Sequence, residues 1–462
     1  MATEYLQSLE VLPIEKRDQN PPVTGSAVVF LDQKIGSPQH LASGWIYGIP
    51  DTPGQIPDEF YTEVGFRYGR GGGSQLPDTR GWYRSKADYE ARFQSALSNY
   101  RTTRKYGGNF ILLPSALWGA DGGQSADAPY PGDNDDWSSW DDLITTWIRD
   151  AKAHDMLEGL VFDIWNEPDL HFFWNRPREQ WLQLWSRTYR VLRREVPNVR
   201  ISGPCFSEGP DINGEWWNEY LAFVKQDNSV PDEWSWHMEQ GHGNMSTSMS
   251  TFRELLNRYS IPESGIININ EYGIWAEQVP SAAVWFISQL ERENAFGLRG
   301  NWTIAGSLHD YLAGLVSKPG AGTEKYSSTS TGYYPTAEYH VYKYYGSEMN
   351  GQRLKTSSND KRDGEAYAVL GTDKVRILAG SRNATGNWAV DVRGGETVGY
   401  ASGEEVDVRV LEFSAKDNHF DESEGPKELG IRKATWQDGS LRLEIHQENP
   451  LVAYAFEFAI KV

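Results

Sequence analysis

Two glutamates are the residues of this sequence that best fit acid–base chemistry. Glu167 lies in the stretch FDIWNEPD (162–169), and Glu271 lies 104 residues later in NINEYG (268–273). Each follows a short apolar run, at the point where a buried strand would end. Two carboxyl groups facing each other across a gap can cleave a glycosidic bond, because one protonates the leaving oxygen while the other attacks the anomeric carbon or activates water. Alone, either glutamate would be read as an ordinary turn or surface residue, so the prediction depends on the pair.

The strands that must position these glutamates alternate with helices. Between residues 43 and 312, short apolar runs alternate with longer amphipathic stretches, which is typical of βα units. Eight runs are predicted as parallel strands: 44–49, 65–70, 109–115, 159–165, 199–204, 233–238, 265–270 and 298–304. This number of strands and crossovers predicts a closed (β/α)8 TIM barrel. No G-x-G-x-x-G follows the first strand, which argues against an open doubly wound sheet.

The sequence after residue 345 has a different period. Short runs of mostly alternating hydrophobicity, separated by turn residues, predict an accessory antiparallel β-sandwich domain. The early run GSAVVFLDQ (25–33) has no helical partner and is predicted to add a strand to it. The expected organisation is an N-terminal segment joining the sandwich (1–36), a catalytic barrel (37–340) and the β-sandwich domain (341–462).

The two glutamates end the fourth and seventh predicted barrel strands. Active sites of barrel enzymes are built at the C-terminal ends of the strands, and three βα units bring the two ends to opposite sides of one mouth. A pair at these positions resembles glycoside hydrolase clan A, and within it most closely family 39. The strand-four pattern of that family is kept at Phe162 and at Trp165-Asn-Glu-Pro-Asp169, followed by Phe172-Phe-Trp174. Leu160 and Asp163 depart from it, standing where the family has Trp and Glu.

The resemblance assigns roles to three residues. It implies that Glu167 is the general acid/base, that Glu271 is the nucleophile of a retaining double displacement, and that Asn166 contacts the sugar 2-hydroxyl. An ionised Glu271 nearby would disfavour a second negative charge and raise the pKa of Glu167, so that Glu167 holds a proton near neutral pH.

The sixth predicted strand ends in WHMEQGH (236–242). The resemblance implies His-x-Tyr here, so His237 matches, and Glu239 stands where Tyr would be. Both are predicted to lie at the substrate. The H-x-E-x-x-H spacing lacks the i,i+4 histidine pair of zinc hydrolases, so we predict no metal and no cofactor.

Three further residues are candidate substrate contacts. Trp302, on the eighth predicted strand, matches the position of an aromatic floor under the sugar in clan A, and a packed interior residue is the alternative. Trp118 is a candidate from the loop after the third strand. Arg67 or Arg70, which flank Tyr68, is expected to pair with a site carboxylate or to orient a sugar hydroxyl.

Composition limits the partners. With 44 Lys and Arg against 64 Asp and Glu, the net charge is −20, which disfavours nucleic acid. The 19 Trp residues suit sugar stacking as well as core packing. The first residues lack the pattern of a secretory signal, and no apolar run approaches a membrane span. We therefore expect a soluble protein and no membrane partner, while a trimmed signal, the compartment and the oligomeric state stay open.

Together these features predict a retaining O-glycoside hydrolase. The expected bond is a β-D-glycosidic or α-L-arabinosidic one in a plant or microbial oligosaccharide or polysaccharide. Two alternatives stay open: a clan A hydrolase of family 5 or 30 acting on a β-glucan or xylan, and a catalytically silent carbohydrate-binding barrel.

Overall fold

The computed structural model describes residues 22–73, 80–119, 127–239, 243–301, 307–416 and 418–461. The strands are β1 (Ser26–Lys34), β2 (Gly44–Ile46), β3 (Tyr68–Gly71), β4 (Asn109–Leu112), β5 (Leu160–Asp163), β6 (Arg200–Phe206), β7 (Glu233–Met238), β8 (Ile266–Tyr272), β9 (Phe296–Arg299), β10 (Val316–Ser317), β11 (Tyr334–Pro335), β12 (Gln352–Ser357), β13 (Gly364–Leu370), β14 (Lys374–Ser381), β15 (Gly386–Arg393), β16 (Glu405–Phe413), β17 (Lys427–Thr435), β18 (Ser440–Gln447) and β19 (Ala453–Ala459). The α-helices are α1 (Glu59–Thr62), α2 (Lys86–Lys105), α3 (Pro114–Trp118), α4 (Ser138–Ala153), α5 (Arg178–Glu195), α6 (Glu215–Asp227), α7 (Met245–Arg258), α8 (Pro280–Glu293) and α9 (Ala337–Lys343).

Strands β2 to β9 form a closed parallel barrel in sequence order. Each lies within or overlaps one of the eight predicted runs, so the (β/α)8 barrel is confirmed. The second strand begins at Tyr68, three residues later than predicted, which changes the residues that reach its C-terminal end. The eighth, β9, is Phe296–Arg299, and residues 302–306 of the predicted run lie outside the described residues.

The helices around the barrel follow from local sequence. Ser85 caps α2 by accepting a hydrogen bond from the Asp88 backbone N–H at 3.0 Å, which satisfies one of the free amides of a first turn. Helix α5 begins directly after Pro177. The apolar faces of the barrel helices bury large side chains such as Trp140, Trp147 and Trp185. No helix among the described residues has both the length and the apolar composition needed to cross a bilayer.

The second domain is a nine-stranded sheet in the order β17-β16-β19-β14-β13-β12-β1-β15-β18. Strands β17 and β18 are at opposite edges, yet only residues 436–439 separate them in the chain. An extended chain spans at most about 3.5 Å per residue, so this link cannot reach across an open nine-stranded sheet. The sheet must therefore curl until its two edge strands approach each other. It encloses its own core, with Trp388, Trp436 and Phe456 among the buried residues.

The early strand joins this sheet, as predicted. β1 pairs antiparallel with β12 and parallel with β15, so the second domain is mixed, and the predicted antiparallel pairing is corrected for β1 with β15. In the chain, β1 precedes the barrel, whereas the other strands of this sheet follow it. No hairpin therefore links β1 to a neighbouring strand and sets its direction. The boundaries at residues 36 and 340 stay predictions.

A buried ion pair joins the barrel to the sheet. Glu291 of α8 accepts hydrogen bonds from the Arg353 guanidinium on β12, from the Tyr345 hydroxyl and from the Leu41 backbone N–H. Both charged side chains are almost completely buried. Removing one partner of such a pair leaves the other charge without compensation in a poorly hydrated place.

We predict that Glu291→Ala lowers the free energy of unfolding by about 3–5 kcal/mol, because Arg353 would stay buried without its counter-charge. Urea or thermal unfolding measures this change. The control is Glu405→Ala, which removes an exposed pair with Lys433 and should leave the unfolding curve unchanged. An equal, small effect of both substitutions would contradict the prediction.

Candidate active site

A buried arginine organises the C-terminal mouth of the barrel. Arg70 is the third residue of β3 and its side chain is fully buried. Its Nε and Nη2 donate to Asp163 Oδ2 at 3.1 and 2.8 Å, and Nη2 also donates to Asn166 Oδ1 at 2.7 Å. Its Nη1 contacts Glu271 Oε1. One guanidinium thus holds polar groups from the ends of β5 and β8, in the fork geometry that suits carboxylates.

Two β-bulges, at Cys205 in β6 and at Asn270 in β8, add side chains to this mouth. In the pairing of β7 with β8, Trp236 lies opposite Ile269 and His237 opposite Glu271, so Asn270 is an extra residue. A regular strand turns neighbouring side chains to opposite faces, whereas a bulge re-aims them. Asn270 reaches Asp163 Oδ2 at 3.1 Å while its neighbour Glu271 meets Arg70. Both side chains therefore face the barrel interior.

His237 lies between the two glutamates. Its Nδ1 is 2.8 Å from Glu167 Oε1, and its Nε2 is 3.7 Å from Glu271 Oε1. The imidazole is completely buried, and burial lowers its pKa, so it is neutral near pH 7. The structure therefore brings Glu167, Glu271 and His237 together at one end of the barrel, as the sequence predicts.

The turn after β5 holds Glu167 in place. Glu167 has a positive φ of 42°, and its backbone N–H donates to Cys205 O at 3.0 Å. Asp169 fixes the following residues by accepting from the Ser207 backbone N–H and hydroxyl. Non-glycine residues with positive φ cluster at functional sites.

Burial dominates the proton affinity of Glu167. Desolvation raises the pKa of Glu167 to about 7, against a smaller opposing effect of Arg70. The direction agrees with the prediction, but the cause differs, since the prediction relied on the charge of Glu271. A carboxyl group with this pKa can give and take a proton near neutral pH.

The orientation of Asn166 follows from Arg70. Its Oδ1 accepts the Arg70 hydrogen bond, so its Nδ2 points away from the guanidinium. The side chain is mostly buried at the mouth of the barrel. An amide held in this way presents a fixed donor to a bound hydroxyl group.

Glu239 follows the last residue of β7. A ligand oxygen of Glu239 and those of Glu167 and His237 all lie within 4.8 Å of one another. Of the described residues, these three form the one such group compact enough for a metal ion. We assign no ion to it, because the side chains already contact one another, with His237 bonded to Glu167 and Glu239 to Glu271. The absence of a metal stays a prediction.

Two predicted substrate contacts lie apart from the Arg70 cluster, and their contact with a sugar stays a prediction. Arg67 is exposed and precedes β3, where its Nε donates to Gln39 O at 2.9 Å; Arg70, the other arginine considered, is the one in the site. Trp118 ends α3, is 2% exposed and packs edge-on against Trp140 at 5.7 Å. Trp302 lies outside the described residues.

Three site residues were not predicted. The sequence predictions contain Asp163 only as a departure from a family pattern, and they give Cys205 and Asn270 no role in the site. All three contact the Arg70 cluster: Asn270 Nδ2 lies 3.1 Å from Asp163 Oδ2 and 3.2 Å from Cys205 Sγ. Asp163 had a usable signal, because an acidic residue inside an apolar strand run must find a buried partner. The bulges that turn Cys205 and Asn270 toward the barrel interior have no sequence signature.

The raised pKa of Glu167 predicts a pH-dependent stability. The folded state keeps this proton up to about pH 7, whereas the unfolded chain releases it near 4.5. The stabilisation that this proton gives the folded state is therefore fully present below pH 4.5 and is lost as the pH rises through 7. Glu167→Gln removes the cost of burying a charge, so its stability relative to the unchanged protein should be greater at pH 8 than at pH 5, by at most about 3 kcal/mol.

Thermal midpoints of the two proteins at both pH values measure this difference. Glu444→Gln, at an exposed position of β18, serves as the control and should show the same small effect at each pH. If Glu167→Gln also changed the thermal midpoint by the same amount at both pH values, the conclusion that folded Glu167 keeps its proton up to about pH 7 would be contradicted.

Part of the chain resembles known proteins in sequence. Residues 117–264, which include Glu167 but not Glu271, match the family described as glycosyl hydrolases family 39. A β-xylosidase of Geobacillus stearothermophilus is 29% identical over 95 residues, which cover 20% of this chain and only 18% of that enzyme.

Solved structures extend the likeness to the whole fold. N2152 from Neocallimastix frontalis superimposes with a TM-score of 0.74 at 20% identity, covering 94% of this chain and 99% of the other. A monomeric β-xylosidase from Caulobacter crescentus gives a TM-score of 0.56 at 14% identity over 95% of this chain and 100% of the other. The chain thus has the fold of a (β/α)8 barrel with a β-sandwich, and the family match confirms its resemblance to glycoside hydrolase family 39 of clan A.

Proposed function

We propose that this protein is a retaining glycoside hydrolase in which Glu167 is the general acid/base and Glu271 is the nucleophile. The observation that carries the proposal is the unequal environment of two carboxyl groups around one imidazole. His237 lies against both, but of these two carboxyl groups it is Glu271 that Arg70 bonds. Burial gives Glu167 a pKa of about 7. Two carboxyl groups whose surroundings differ in this way divide the roles of acid and nucleophile between them.

The first step forms a covalent glycosyl-enzyme. A carboxylate oxygen of Glu271 bonds the anomeric carbon while the bond from that carbon to the leaving oxygen breaks. The proton of Glu167 passes to the leaving oxygen, which departs as an alcohol. The negative charge of Glu271 is consumed in the ester, and Glu167 is left as a carboxylate.

The second step returns both residues to their starting state. Water loses a proton to Glu167 and bonds the anomeric carbon from the face that the leaving group vacated. The ester bond breaks and Glu271 regains its charge next to Arg70. Two inversions at one carbon give net retention of configuration.

Asn166 supplies a contact to the sugar ring in this proposal. Since Arg70 binds its carbonyl oxygen, its Nδ2 can donate to the 2-hydroxyl. Hydrogen bonds to this hydroxyl strengthen in the oxocarbenium-like transition state, so they favour reaction rather than binding alone. Trp302 as an aromatic floor under the sugar stays a prediction.

The substrate class follows from relatives and stereochemistry. The match to a protein described as a β-xylosidase makes a β-D-xyloside the first substrate to test. An α-L-arabinoside presents similar stereochemistry at the anomeric carbon and is the second. The natural substrate would be a plant or microbial oligosaccharide or polysaccharide.

Two alternative functions differ from this proposal. A clan A enzyme of family 5 or 30 would use the same two residues on a β-glucan or xylan, and the family 39 match speaks against it. A silent carbohydrate-binding barrel would need no proton donor, yet Glu167 and Glu271 are both present and converge on His237.

We predict that Glu167→Gln and Glu271→Gln both inactivate the protein toward aryl glycosides, but differently. Loss of the acid/base should lower kcat/KM by about 10²- to 10⁴-fold, and least for the best leaving groups, which depart without a proton. Loss of the nucleophile should reduce turnover to background for all leaving groups. Steady-state assays on aryl β-D-xylosides, β-D-glucosides and α-L-arabinosides measure both effects.

Azide and product stereochemistry provide the control. In Glu167→Gln, added azide should restore turnover and give a glycosyl azide of retained configuration, whereas Glu271→Gln should show no such rescue with retention. NMR of the first product formed by the unchanged enzyme should show the substrate anomer. Inverted product, or affinity for glycans without turnover of any, would overturn the proposal.

We also predict that kcat/KM falls above about pH 7, because the glycosylation step needs the proton of Glu167 and the pKa of that group is about 7. A pH–rate profile measures this limb. The limb should disappear in Glu167→Gln, and its persistence there would assign it to another group.

A further inference from the structure

A third carboxyl group lies against the two that carry the proposed reaction. Glu239 follows β7 directly, and its side chain hydrogen-bonds the Glu271 carboxyl. Its ligand oxygen is within 4.8 Å of Glu167 and of His237 Nδ1 or Nε2. Its Oε1 has no hydrogen-bond partner among the described residues. The proposed mechanism gives this residue no role.

The charges around this cluster do not balance if every acid is ionised. The groups that face Glu239 are Glu271 from β8, Glu167 from the turn after β5, His237 from β7 and Arg70 from β3. Arg70 is the cation, and its guanidinium is occupied by Asp163, Asn166 and Glu271. Burial lowers the pKa of His237, so the imidazole adds no positive charge near neutrality.

Two carboxyl groups in hydrogen-bond contact must share a proton, because neither carboxylate can donate. The proton belongs to Glu239 rather than to Glu271, since Arg70 bonds Glu271 and does not bond Glu239. Burial, followed by the charges of Glu271 and Glu167, raises the pKa of Glu239 well above its ordinary value.

We propose that Glu239 is a positioning residue that stays protonated and donates a hydrogen bond from its carboxyl O–H to the Glu271 carboxylate. This inference rests on the proposed function, in which Glu271 is the nucleophile. Glu271 is then held by two donors, the Arg70 guanidinium on one side and the Glu239 hydroxyl on the other. Two donors fix the rotation of the carboxylate, so that one of its oxygens is aimed at the anomeric carbon.

The substitution of Glu for the expected Tyr is explained by this role. A phenol is a neutral O–H donor throughout the ordinary pH range. A carboxyl group donates only while it keeps its proton, which the surrounding negative charges and burial ensure here. Position 239 therefore keeps the donor and changes its chemical type.

The matched variants are Glu239→Gln, which keeps a neutral donor of the same length, and Glu239→Leu, which keeps the volume without a donor. We expect Glu239→Leu to lower kcat by about 10- to 100-fold, the loss of a hydrogen bond to a charged group, with KM changed only a few-fold. The decrease in kcat should be several-fold smaller in Glu239→Gln than in Glu239→Leu. Equal losses in both variants, or none in either, would overturn the proposal.

A second measurement needs no turnover. In the Glu167→Gln background, infrared difference spectra at pH 8 with and without Glu239→Gln should show a protonated carboxyl C=O band that is lost with Glu239. The Glu167→Gln background removes the proton of the neighbouring Glu167, and the difference spectrum cancels the bands of other buried acids such as Glu233 and Glu338. Thermal midpoints show whether each variant is folded. If no protonated carboxyl band disappears when Glu239 is replaced, the proposal is overturned.

The two measurements separate the two proposals. If no glycoside is turned over by the unchanged protein, the proposed function fails, and the infrared result alone decides whether Glu239 is the neutral donor. If turnover is found and the band is absent, the function stands and the role of Glu239 is rejected.

Discussion

The site depends on one buried positive charge. The Arg70 guanidinium lies inside the barrel, where an uncompensated charge would be strongly unfavourable, so it must be surrounded by acceptors. Asp163, Asn166 and Glu271 supply them. These contacts tie β3 to the turn after β5 and to β8, which are the elements that carry the two proposed reacting carboxyl groups. The same charge that stabilises the barrel mouth therefore also sets the positions of the groups that would do the chemistry.

Carboxyl groups outnumber cations around this guanidinium, and these carboxyl groups are buried with it. Asp163 and Glu271 share Arg70, while Glu167 and Glu239 have no cation of their own. Burial raises the pKa of both of these unpaired groups, and it also raises the pKa of Asp163 in spite of its pair with Arg70. A site with too few positive charges must hold protons, and protons held near neutral pH are what acid catalysis and hydrogen-bond donation by carboxyl groups require. The shortage of cations therefore helps to keep carboxyl groups at the barrel mouth protonated near neutral pH.

The sequence contains enough information for the barrel and for the central pair. Eight apolar runs and two motifs at the ends of the fourth and seventh are local patterns, and the closed barrel converts them into one site. The choice between Arg67 and Arg70 was not determined, because it depends on where β3 begins, and strand ends are poorly marked by composition. The inward turn of Asn270 depends on a bulge, and the burial of Trp118 depends on how α3 packs. The parallel pairing of β1 with β15 is set by the path of the chain across the whole domain, so no local pattern encodes it.

Strand β1 has a consequence for the order in which the molecule is made. It lies between β12 and β15 in the sheet, yet more than 300 residues of barrel sequence and connections separate Val29 from its partner Thr356. During synthesis on the ribosome, β1 emerges before any barrel strand and has to wait, unpaired, until the neighbours on both its sides have been translated. Contacts between such distant segments form slowly because a long loop must first close. The exposed edges of a waiting apolar strand also attract other chains, so chaperone dependence would concentrate on this segment rather than on the barrel.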